Sequence, residues 1–259
     1  MYDKFEYYTN YRSKKYFPNS RHLDKYGNIL IVLGKSKYEY SRLVVKFEDL
    51  DLLFITDDFT IKNKRFNNKM SKIIYGVGYL GYGIYKSNGS SYESIRYSKW
   101  RAMLNRCYGE TYKSTTYSKC KVCEEWYNYQ KFAQWYDNNF IDGYELDKDL
   151  LQPEIENKIY SPETCCFIPP HINLFLQDKN TISKGKTGVV GVYISNSSGK
   201  DKFRASININ GRTKYLGEFD KLEYAEKCYI DAYLDKLNNI NKELYVLGLP
   251  SIQNKIKNN

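Results

Sequence analysis

Short apolar runs separated by turn residues dominate the first third of the chain. They are NILIVLG at 28–34, RLVVKF at 42–47, LLFI at 52–55 and FTIKN at 59–63. Runs of this length, punctuated by Gly, Asp and Asn, are typical of β-strands. A turn-rich stretch, YGVGYLGYG at 75–83, follows and marks a boundary. We therefore predict a small β-rich module over residues 1–85.

The periodicity then changes to that of helices with apolar and aromatic faces. Within residues 96–108, Trp100, Met103, Leu104 and Cys107 recur at the spacing of one helical face. A second helix is predicted over 124–139. Its inward residues are Trp126, Tyr129, Phe132 and either Trp135 or Tyr136. Aromatic residues at helical spacing usually form core, so we expect these two helices to support whatever follows them.

An acidic strand comes next, in ELDKDLL at 145–151. Glu145, Asp147 and Asp149 alternate along it, and alternate residues of a strand share one face. A second apolar run and a helix start carrying Asn173 follow in IYSPETCCFIPPHIN at 159–173. Carboxylates joined by an amide oxygen form an all-oxygen site for a hard divalent cation such as Mg²⁺ or Mn²⁺. The alternative is a solvated strand edge.

The last part of the chain alternates as an antiparallel sheet does. In DKFRASININ, Lys202, Arg204, Ser206 and Asn208 point one way, whereas the apolar residues between them point the other way. The strand GVYIS precedes this run, and the turn NGR at 210–212 and the strand TKYLGEF follow it. A helix is predicted over 221–237.

These patterns together predict an α+β chain with three folded parts. They are the β module at 1–85, a central helical and ββα domain at 86–180, and a three-stranded antiparallel sheet packed on one helix at 181–240. Residues 241–259 are rich in Asn and Lys and are predicted to form a poorly ordered polar tail.

The charge of the chain narrows the kind of partner. A net charge of +10 favours a polyanion, and a basic sheet face fits the major groove of double-stranded DNA. The chain is also rich in Lys, Asn, Ile and Tyr, whose codons are AT-rich, so genome composition is an alternative source of part of this charge. The N-terminus lacks a signal-peptide pattern and the apolar runs are too short to span a bilayer, which predicts a cytoplasmic protein that does not associate with membranes. A monomer is favoured.

Six cysteines in such a chain indicate reduced thiols or metal ligands rather than disulfides. Cys120 and Cys123 form a C-x-x-C pair, and Cys107 with Cys165 or Cys166 would complete four thiolates around a structural zinc ion. The spacing is irregular and a second C-x-x-C is absent. Zinc is therefore an alternative that we do not favour over small buried thiols.

Residues 191–234 resemble the DNA-binding domain of plant ethylene-response factors, the AP-two fold, which also occurs in phage integrases and homing nucleases. The matching signatures are GVY, KFRASI, YLGEF and the helix EYAEKCYIDAY, in the expected order. The resemblance implies a sheet face that contacts DNA. The residues that it places toward DNA are Tyr193, Lys202, Arg204, Ser206, Asn208, Arg212 and Tyr215. An ordinary solvated sheet face, with Arg204 paired to an acid, is the alternative.

Residues 97–176 resemble a branch of the phage HNH endonucleases, whose fold is a ββα-metal unit. The matching motifs are W-x-x-M-x-x-R-C, V-C-x-x-W, the acidic strand and Y-S-P-E-x-C, followed by a helical Asn. The resemblance implies that Asp147 and Asn173 bind one Mg²⁺-type ion. The chain departs from the HNH pattern at Lys148, which occupies the position of the usual base histidine, and at Thr164, which replaces the middle Asn.

The replacement of the base leaves several catalytic assignments open. Lysine is protonated at neutral pH, so Lys148 is a poor base but a good partner for phosphate charge. Water activation then falls to Asp149, Glu145 or a metal-bound hydroxide. His171 is a packing or phosphate-contacting residue in one interpretation and the catalytic base in another.

The expected function is that of a phage-type homing endonuclease, in which the C-terminal sheet selects a site and the central domain hydrolyses the DNA. The alternative is a sequence-specific DNA-binding protein whose nuclease centre is degenerate and inactive. A zinc-stabilised interaction protein is a third interpretation.

Overall fold

The computed structural model describes residues 4–112, 119–153, 156–178, 186–195 and 202–254. The chain divides into two compact units. Unit 1 comprises residues 1–118 and 124–134, and unit 2 comprises residues 119–123 and 135–259. The mixed α+β class predicted from the sequence is confirmed, with an N-terminal sheet, central helices and a C-terminal antiparallel sheet on a helix.

Unit 1 contains a five-stranded antiparallel sheet. Its strands are β1 (Tyr7–Tyr8), β2 (Arg21–Leu23), β3 (Ile29–Ser36), β4 (Leu43–Phe47) and β5 (Leu53–Thr56). The strand order is β1-β3-β4-β5, and β2 also pairs with β3. Alternate residues of β3, including Leu30 and Val32, are buried in the core of the sheet, as the period-two pattern predicts.

The strand predicted at 59–63 is wrong, because residues 59–62 belong to the short helix α1 (Asp58–Lys62) and Asn63 is its C-cap. Asp57 caps this helix: its Oδ1 accepts the backbone N–H of Thr60 at 2.7 Å. The buried residue of the helix is Ile61. A single capping carboxylate therefore decides between helix and strand in a segment too short for periodicity to do so.

The helix predicted at 96–108 is confirmed and begins earlier, as α2 (Ser91–Tyr108). Ser90 and Glu93 form a reciprocal capping box that satisfies two backbone N–H groups at its start. Trp100, Met103 and Leu104 are fully buried, as their spacing predicts. The indole Nε1 of Trp100 donates to a backbone carbonyl, that of Trp126, at 2.7 Å.

The helix predicted at 124–139 is divided in two. Residues Glu124–Tyr127 form a 3₁₀ turn and α3 spans Tyr129–Asn139. The side-chain Oδ1 of Asn128 accepts the N–H of Gln130 at 3.0 Å, which is the position of a helix N-cap. Of the predicted inward residues, Tyr136 rather than Trp135 is buried beside the confirmed Trp126, Tyr129 and Phe132.

In its described residues, unit 2 holds two small sheets, one larger sheet and, besides the second half of α3, two helices. The small sheets pair β6 (Lys121–Val122) in parallel with β8 (Ile159–Tyr160), and β7 (Glu145–Asp147) antiparallel with β9 (Cys166–Ile168). The larger sheet is antiparallel, in the order β10 (Val192–Ser195), β11 (Lys202–Ile209) and β12 (Arg212–Phe219). The helices are α4 (Pro170–Asp178) and α5 (Leu222–Val246).

One hydrophobic cluster connects the parts of unit 2. Ala205 and Ile207 of β11 pack with Ala225 and Tyr229 of α5, and Ile172 of α4 belongs to the same cluster. The boundary predicted at residue 180 therefore does not separate two hydrophobic cores. The hairpin turn predicted at 210–212 is confirmed, since Asn210 and Gly211 both have positive φ angles, 52° and 78°, between β11 and β12.

The predicted end of the last helix, at Leu237, is wrong. The helix continues to Val246 and buries Ile240 and Leu244 in its added turns. Part of the predicted polar tail is also ordered. Asn241 holds Ile252 through two hydrogen bonds, accepting its N–H at 2.7 Å and donating to its carbonyl at 3.0 Å. Apolar residues at helical spacing within the Asn- and Lys-rich sequence therefore extend the helix. No helix in the described part of the chain is long and apolar enough to cross a membrane.

Candidate metal and DNA sites

The acidic strand and the helix predicted beside it form a ββα unit. β7 pairs with β9 so that Glu145 faces Ile168 and Asp147 faces Cys166 across the two strands. α4 starts directly after β9 with Pro170 at its first position, where a missing N–H costs nothing. Phe167 of β9 is enclosed by aromatic rings from the second half of α3 and the residue after it. They are Trp135, Tyr136 and Phe140, with centroids 5.2–5.8 Å from that of Phe167.

Asp147 lies at the end of β7 with only 3% of its surface exposed. Its Oδ2 accepts the backbone N–H groups of Asp149 and Leu150, both at 2.7 Å. This carboxylate therefore fixes the turn that follows β7. Burial raises the pKa of Asp147 above its usual value, against the opposing effect of the two backbone donors. Both bonds use Oδ2, and neither uses Oδ1.

Asn173 of α4 reaches back to the acidic strand. Its side-chain Nδ2 donates to Oε2 of Glu145, and its Oδ1 accepts from Nε2 of Gln177 at 3.2 Å. The pair joins the helix to the strand and is half-buried at both ends. The structure thus brings Asn173 to an acid of β7 as predicted, but its hydrogen-bond partner is Glu145 rather than Asp147.

Lys148, which the resemblance predicts at the position of the base, is a buried cation. It is 6% exposed, and its Nζ donates to Oδ1 and Oδ2 of Asp149 at 3.0 and 2.9 Å. Lys158 makes a second ion pair with the same carboxylate. Burial acts to raise the pKa of Asp149, but the two lysines outweigh it and hold that pKa below its usual value. Lys148, Asp149 and Lys158 are called the charged triad below.

Gln152 holds the loop that carries the charged triad. Its side-chain Nε2 donates to the carbonyls of Lys148 and Ile159 at 2.8 and 2.9 Å, and its Oε1 accepts the N–H of Ile159 at 3.0 Å. The residue is almost fully buried. Sequence reasoning singled out neither Gln152 nor Lys158, because both act across a loop between two strands and no spacing rule connects them to Asp149.

The two remaining residues of the predicted nuclease motif have structural partners. His171 Nε2 lies 2.8 Å from Oε2 of Glu243, which joins α4 to α5 and agrees with the packing interpretation. Thr164 Oγ1 donates to the carbonyl of Ile159 at 2.6 Å and accepts the N–H of Ser161 at 3.0 Å. Thr164 therefore closes the turn before β9, and this is the position at which the predicted resemblance to HNH endonucleases would have asparagine.

The cysteines considered for zinc lie in both units. Cys107 belongs to unit 1, and Cys120, Cys123 and Cys165 belong to unit 2. Burial raises the pKa of the Cys120 and Cys165 thiols and raises that of Cys166 to about 12, so these thiols are protonated at neutral pH. Among the residues that the structure describes, no three His, Cys, Asp or Glu side chains are grouped to hold a metal.

The C-terminal sheet presents one face to solvent. Tyr193 of β10, Arg204 of β11 and Glu218 of β12 are cross-strand partners in one row of this face. Of the seven residues predicted to face DNA, five are exposed. They are Tyr193, Arg204, Asn208, Arg212 and Tyr215. Lys202 is half-buried, and its Nζ pairs with Asp220 at 2.5 Å.

Ser206 corrects the prediction of a uniformly accessible face, because it is only 8% exposed. Its backbone N–H donates to the carbonyl of Gly191 at 2.9 Å, and a register shift falls between Ala205 and Ser206. The shift skips Leu216 in β12, so that Glu218 lies opposite Arg204 and pairs with it at 2.6 Å. The face is therefore less basic than the period-two pattern of β11 alone indicates.

Comparisons of the chain with protein-family models, with curated proteins and with solved structures find no match.

Proposed function

We propose that the chain is a metal-dependent DNA endonuclease of the phage homing type, in which the sheet face of unit 2 binds double-stranded DNA. The observation that carries this proposal is the ββα unit itself. Two strand acids, Glu145 and Asp147, precede a strand and a helix whose Asn173 returns to the first acid. The resemblance of residues 97–176 to HNH endonucleases and of residues 191–234 to AP-two domains supports the same conclusion.

The donor set fits one hard divalent cation, Mg²⁺ or Mn²⁺, because all of its atoms are oxygens. Asp147 would hold the ion through Oδ1, since Oδ2 caps the turn. Asn173 would present Oδ1 after its amide turns over and releases Glu145. When bound, such an ion would supply Lewis-acid stabilisation of the scissile phosphate and the leaving oxygen.

The charged triad supplies the positive charge beside this site. Lys148 is tied to both oxygens of Asp149, which stabilises its ammonium form and excludes it as a base. Asp149 is itself committed to two lysines. We therefore assign Glu145 as the acceptor of the proton from the attacking water, and the lysines as contacts for phosphate oxygens.

A plasmid-nicking assay tests the proposal. With Mg²⁺ or Mn²⁺, the wild-type chain is expected to convert supercoiled plasmid to nicked or linear DNA, and EDTA is expected to stop the reaction. Glu145→Gln, which removes the proton acceptor but keeps the size of the side chain, is expected to lower the rate at least about 100-fold. Asp231→Asn on the exposed surface of α5 is the matched control and is expected to cut normally. Cutting by Glu145→Gln at the wild-type rate contradicts the assignment.

One observation favours a second function, that of a DNA-binding protein with an inactive centre. Asp147 caps a turn and Glu145 bonds to Asn173, so both acids have structural partners that need no metal. Tight DNA binding that weakens with salt, without cleavage under any divalent ion, is the result that decides for it.

The acid Glu218 on the sheet face leads to a prediction about DNA affinity. Glu218 neutralises Arg204, so Glu218→Gln is expected to release the guanidinium for phosphate and raise the affinity for duplex DNA by about fivefold at low salt. The plot of log affinity against log salt is expected to steepen. Fluorescence anisotropy with a labelled duplex measures both quantities. Glu223→Gln, an exposed acid at the start of α5, is the control, and equal effects of the two variants contradict the DNA-facing assignment.

A further inference from the structure

One edge of the unit 1 sheet carries four exposed tyrosines. The edge strand β1 and the β3–β4 hairpin, residues 37–42, contribute four rings. Their exposed fractions are 37% for Tyr7, 53% for Tyr8, 47% for Tyr38 and 93% for Tyr40. Tyr7 and Tyr8 follow each other in β1 and therefore point to opposite faces of the sheet, with Tyr8 on the face of its partner Lys35. Single exposed aromatic residues are common on protein surfaces, but four on two neighbouring segments make this edge a candidate interaction surface. These four residues with Lys35 and Lys37 are called the tyrosine edge below.

Two lysines of the tyrosine edge lie against its rings. Lys35 Nζ is 5.6 Å from the ring centroid of Tyr40, and Lys37 Nζ is 5.7 Å from that of Tyr8. Both distances are those of cation–π pairs. Lys37 also pairs with Glu6 at 3.0 Å, at an exposed position where salt and competing anions weaken the contact. The rings and ammonium groups are thus presented to solvent as neighbours.

Backbone hydrogen bonds position the two segments that carry these side chains. Tyr8 pairs with Lys35 across β1 and β3, and the N–H of Lys37 donates to the carbonyl of Glu6 at 3.0 Å. β1 passes so close to Gly34 that a Cβ there would collide with Tyr7. The hairpin is held by Ser36, whose N–H donates to the carbonyl of Arg42 at 2.9 Å. Backbone hydrogen bonds therefore hold β1 against β3 and close the hairpin that carries Tyr38 and Tyr40.

The charge of the edge favours an anionic partner. Arg42 is paired with Asp57, and the remaining cations within residues 4–8 and 35–42, Lys4, Lys35 and Lys37, still outnumber the acids Glu6 and Glu39. Aromatic rings beside cations are the means by which proteins bind single-stranded nucleic acid, since bases stack on the rings and phosphates meet the cations. The bases of a duplex are already stacked on one another and offer no faces to these rings.

We infer that the tyrosine edge binds single-stranded nucleic acid, with bases stacked on Tyr8 and Tyr40 and phosphates contacted by Lys35 and Lys37. This inference concerns unit 1 and holds whether or not unit 2 cuts DNA. It gives the N-terminal β module a role of its own.

The test uses the full chain with EDTA present, so that cleavage plays no part. Anisotropy of a fluorescein-labelled oligo(dT) is expected to show binding that the double variant Tyr8→Ala/Tyr40→Ala weakens at least about tenfold, the loss of one or two stacked bases. Tyr8→Phe/Tyr40→Phe keeps the rings and is expected to bind within twofold of the wild type. Tyr245→Ala, on an exposed ring of α5, is the matched control and is expected to bind as the wild type does.

Two further readouts keep the inference falsifiable if the alanine variant is unstable. Lys35→Gln/Lys37→Gln is expected to reduce the salt slope of oligo(dT) binding by about 1.4, that is, by two phosphate contacts. Ultraviolet crosslinks mapped by mass spectrometry are expected within residues 4–12 and 35–42. Unchanged affinity of the alanine variant, an unchanged salt slope, or crosslinks confined to the sheet of unit 2 would each overturn the inference.

Discussion

Asp147→Asn is expected to lower metal-dependent DNA cleavage at least about 100-fold while leaving the fold intact. Asparagine keeps an acceptor oxygen for the two backbone N–H groups of Asp149 and Leu150, so the turn after β7 is preserved. It removes the negative charge that would hold a divalent cation. The variant therefore separates the structural role of Asp147 from its proposed role as a ligand.

The stability of this variant has a defined dependence on pH. Burial raises the pKa of Asp147 above its ordinary value of 3.8, so ionisation costs folding free energy at neutral pH. Asp147→Asn avoids that cost and is expected to unfold at an equal or higher temperature than the wild type at pH 7. The difference in unfolding temperature between the two proteins is expected to disappear as pH falls through the raised pKa of Asp147, because the wild-type carboxyl is then protonated in the folded state.

Thermal unfolding and plasmid nicking of the same preparations measure the two effects. Asp231→Asn provides the control for loss of one surface carboxylate. A variant that unfolds at a much lower temperature shows that charge on Asp147 is needed for the turn. A variant that cuts at the wild-type rate removes Asp147 from the site.

Asp149→Asn is expected to destabilise the fold by about 3 kcal/mol, much more than Lys148→Met does. Asparagine leaves the buried ammonium of Lys148 without its anion, and breaking a buried ion pair from one side is costly. Breaking a buried ion pair from one side costs about 3–5 kcal/mol, and we expect the low end because the side chain of Asp149 is 32% exposed. Lys148→Met instead replaces the cation by an apolar chain of similar length and leaves Asp149 paired with Lys158.

The pH dependence of Asp149 runs opposite to that of Asp147. Its pKa is held below 3.8 in the folded state, so its contribution is present above that value and is lost as pH falls through the depressed pKa. Urea unfolding of wild type, Asp149→Asn and Lys148→Met at several pH values measures this. Equal destabilisation by the two variants at pH 7 contradicts the asymmetry. A difference in stability between the wild type and Asp149→Asn that persists below the depressed pKa of Asp149 contradicts the pH dependence.

The sequence predicts the elements of the site better than it predicts their partners. Alternating acids, the following apolar run and the proline-started helix were enough to predict a ββα unit, and the structure forms one. Which oxygen caps a turn depends on where the chain leaves β7. Asp147 for that reason has backbone partners, and Glu145 is the acid that bonds to Asn173.

A single inserted residue explains why the charge of the C-terminal sheet is not predictable from strand alternation. Counting back from the confirmed turn at Asn210 and Gly211 places Gly217 opposite Arg204. The shift at Leu216 instead brings Glu218 opposite Arg204, where the two side chains pair. A bulge moves every later partner by one position, and β11 itself carries no sign of it.

Misassigned segments have equally local causes. Residues 58–62 form a helix because Asp57 caps it, whereas a segment of five residues is too short for its hydrophobic periodicity to distinguish helix from strand. The last helix passes Leu237 because Ile240 and Leu244 continue its buried face within an Asn- and Lys-rich stretch. In each case a hydrogen bond or a buried side chain outweighs the average preference of the composition.

Anomalous diffraction from crystals of the chain soaked with Mn²⁺ tests the central claim most directly. One manganese ion is expected, bonded to Oδ1 of Asp147 and Oδ1 of Asn173, with the Asn173 amide turned away from its bond to Glu145. A manganese ion bound elsewhere, with the Asn173–Glu145 hydrogen bond unbroken, would contradict a metal-dependent nuclease centre at this ββα unit.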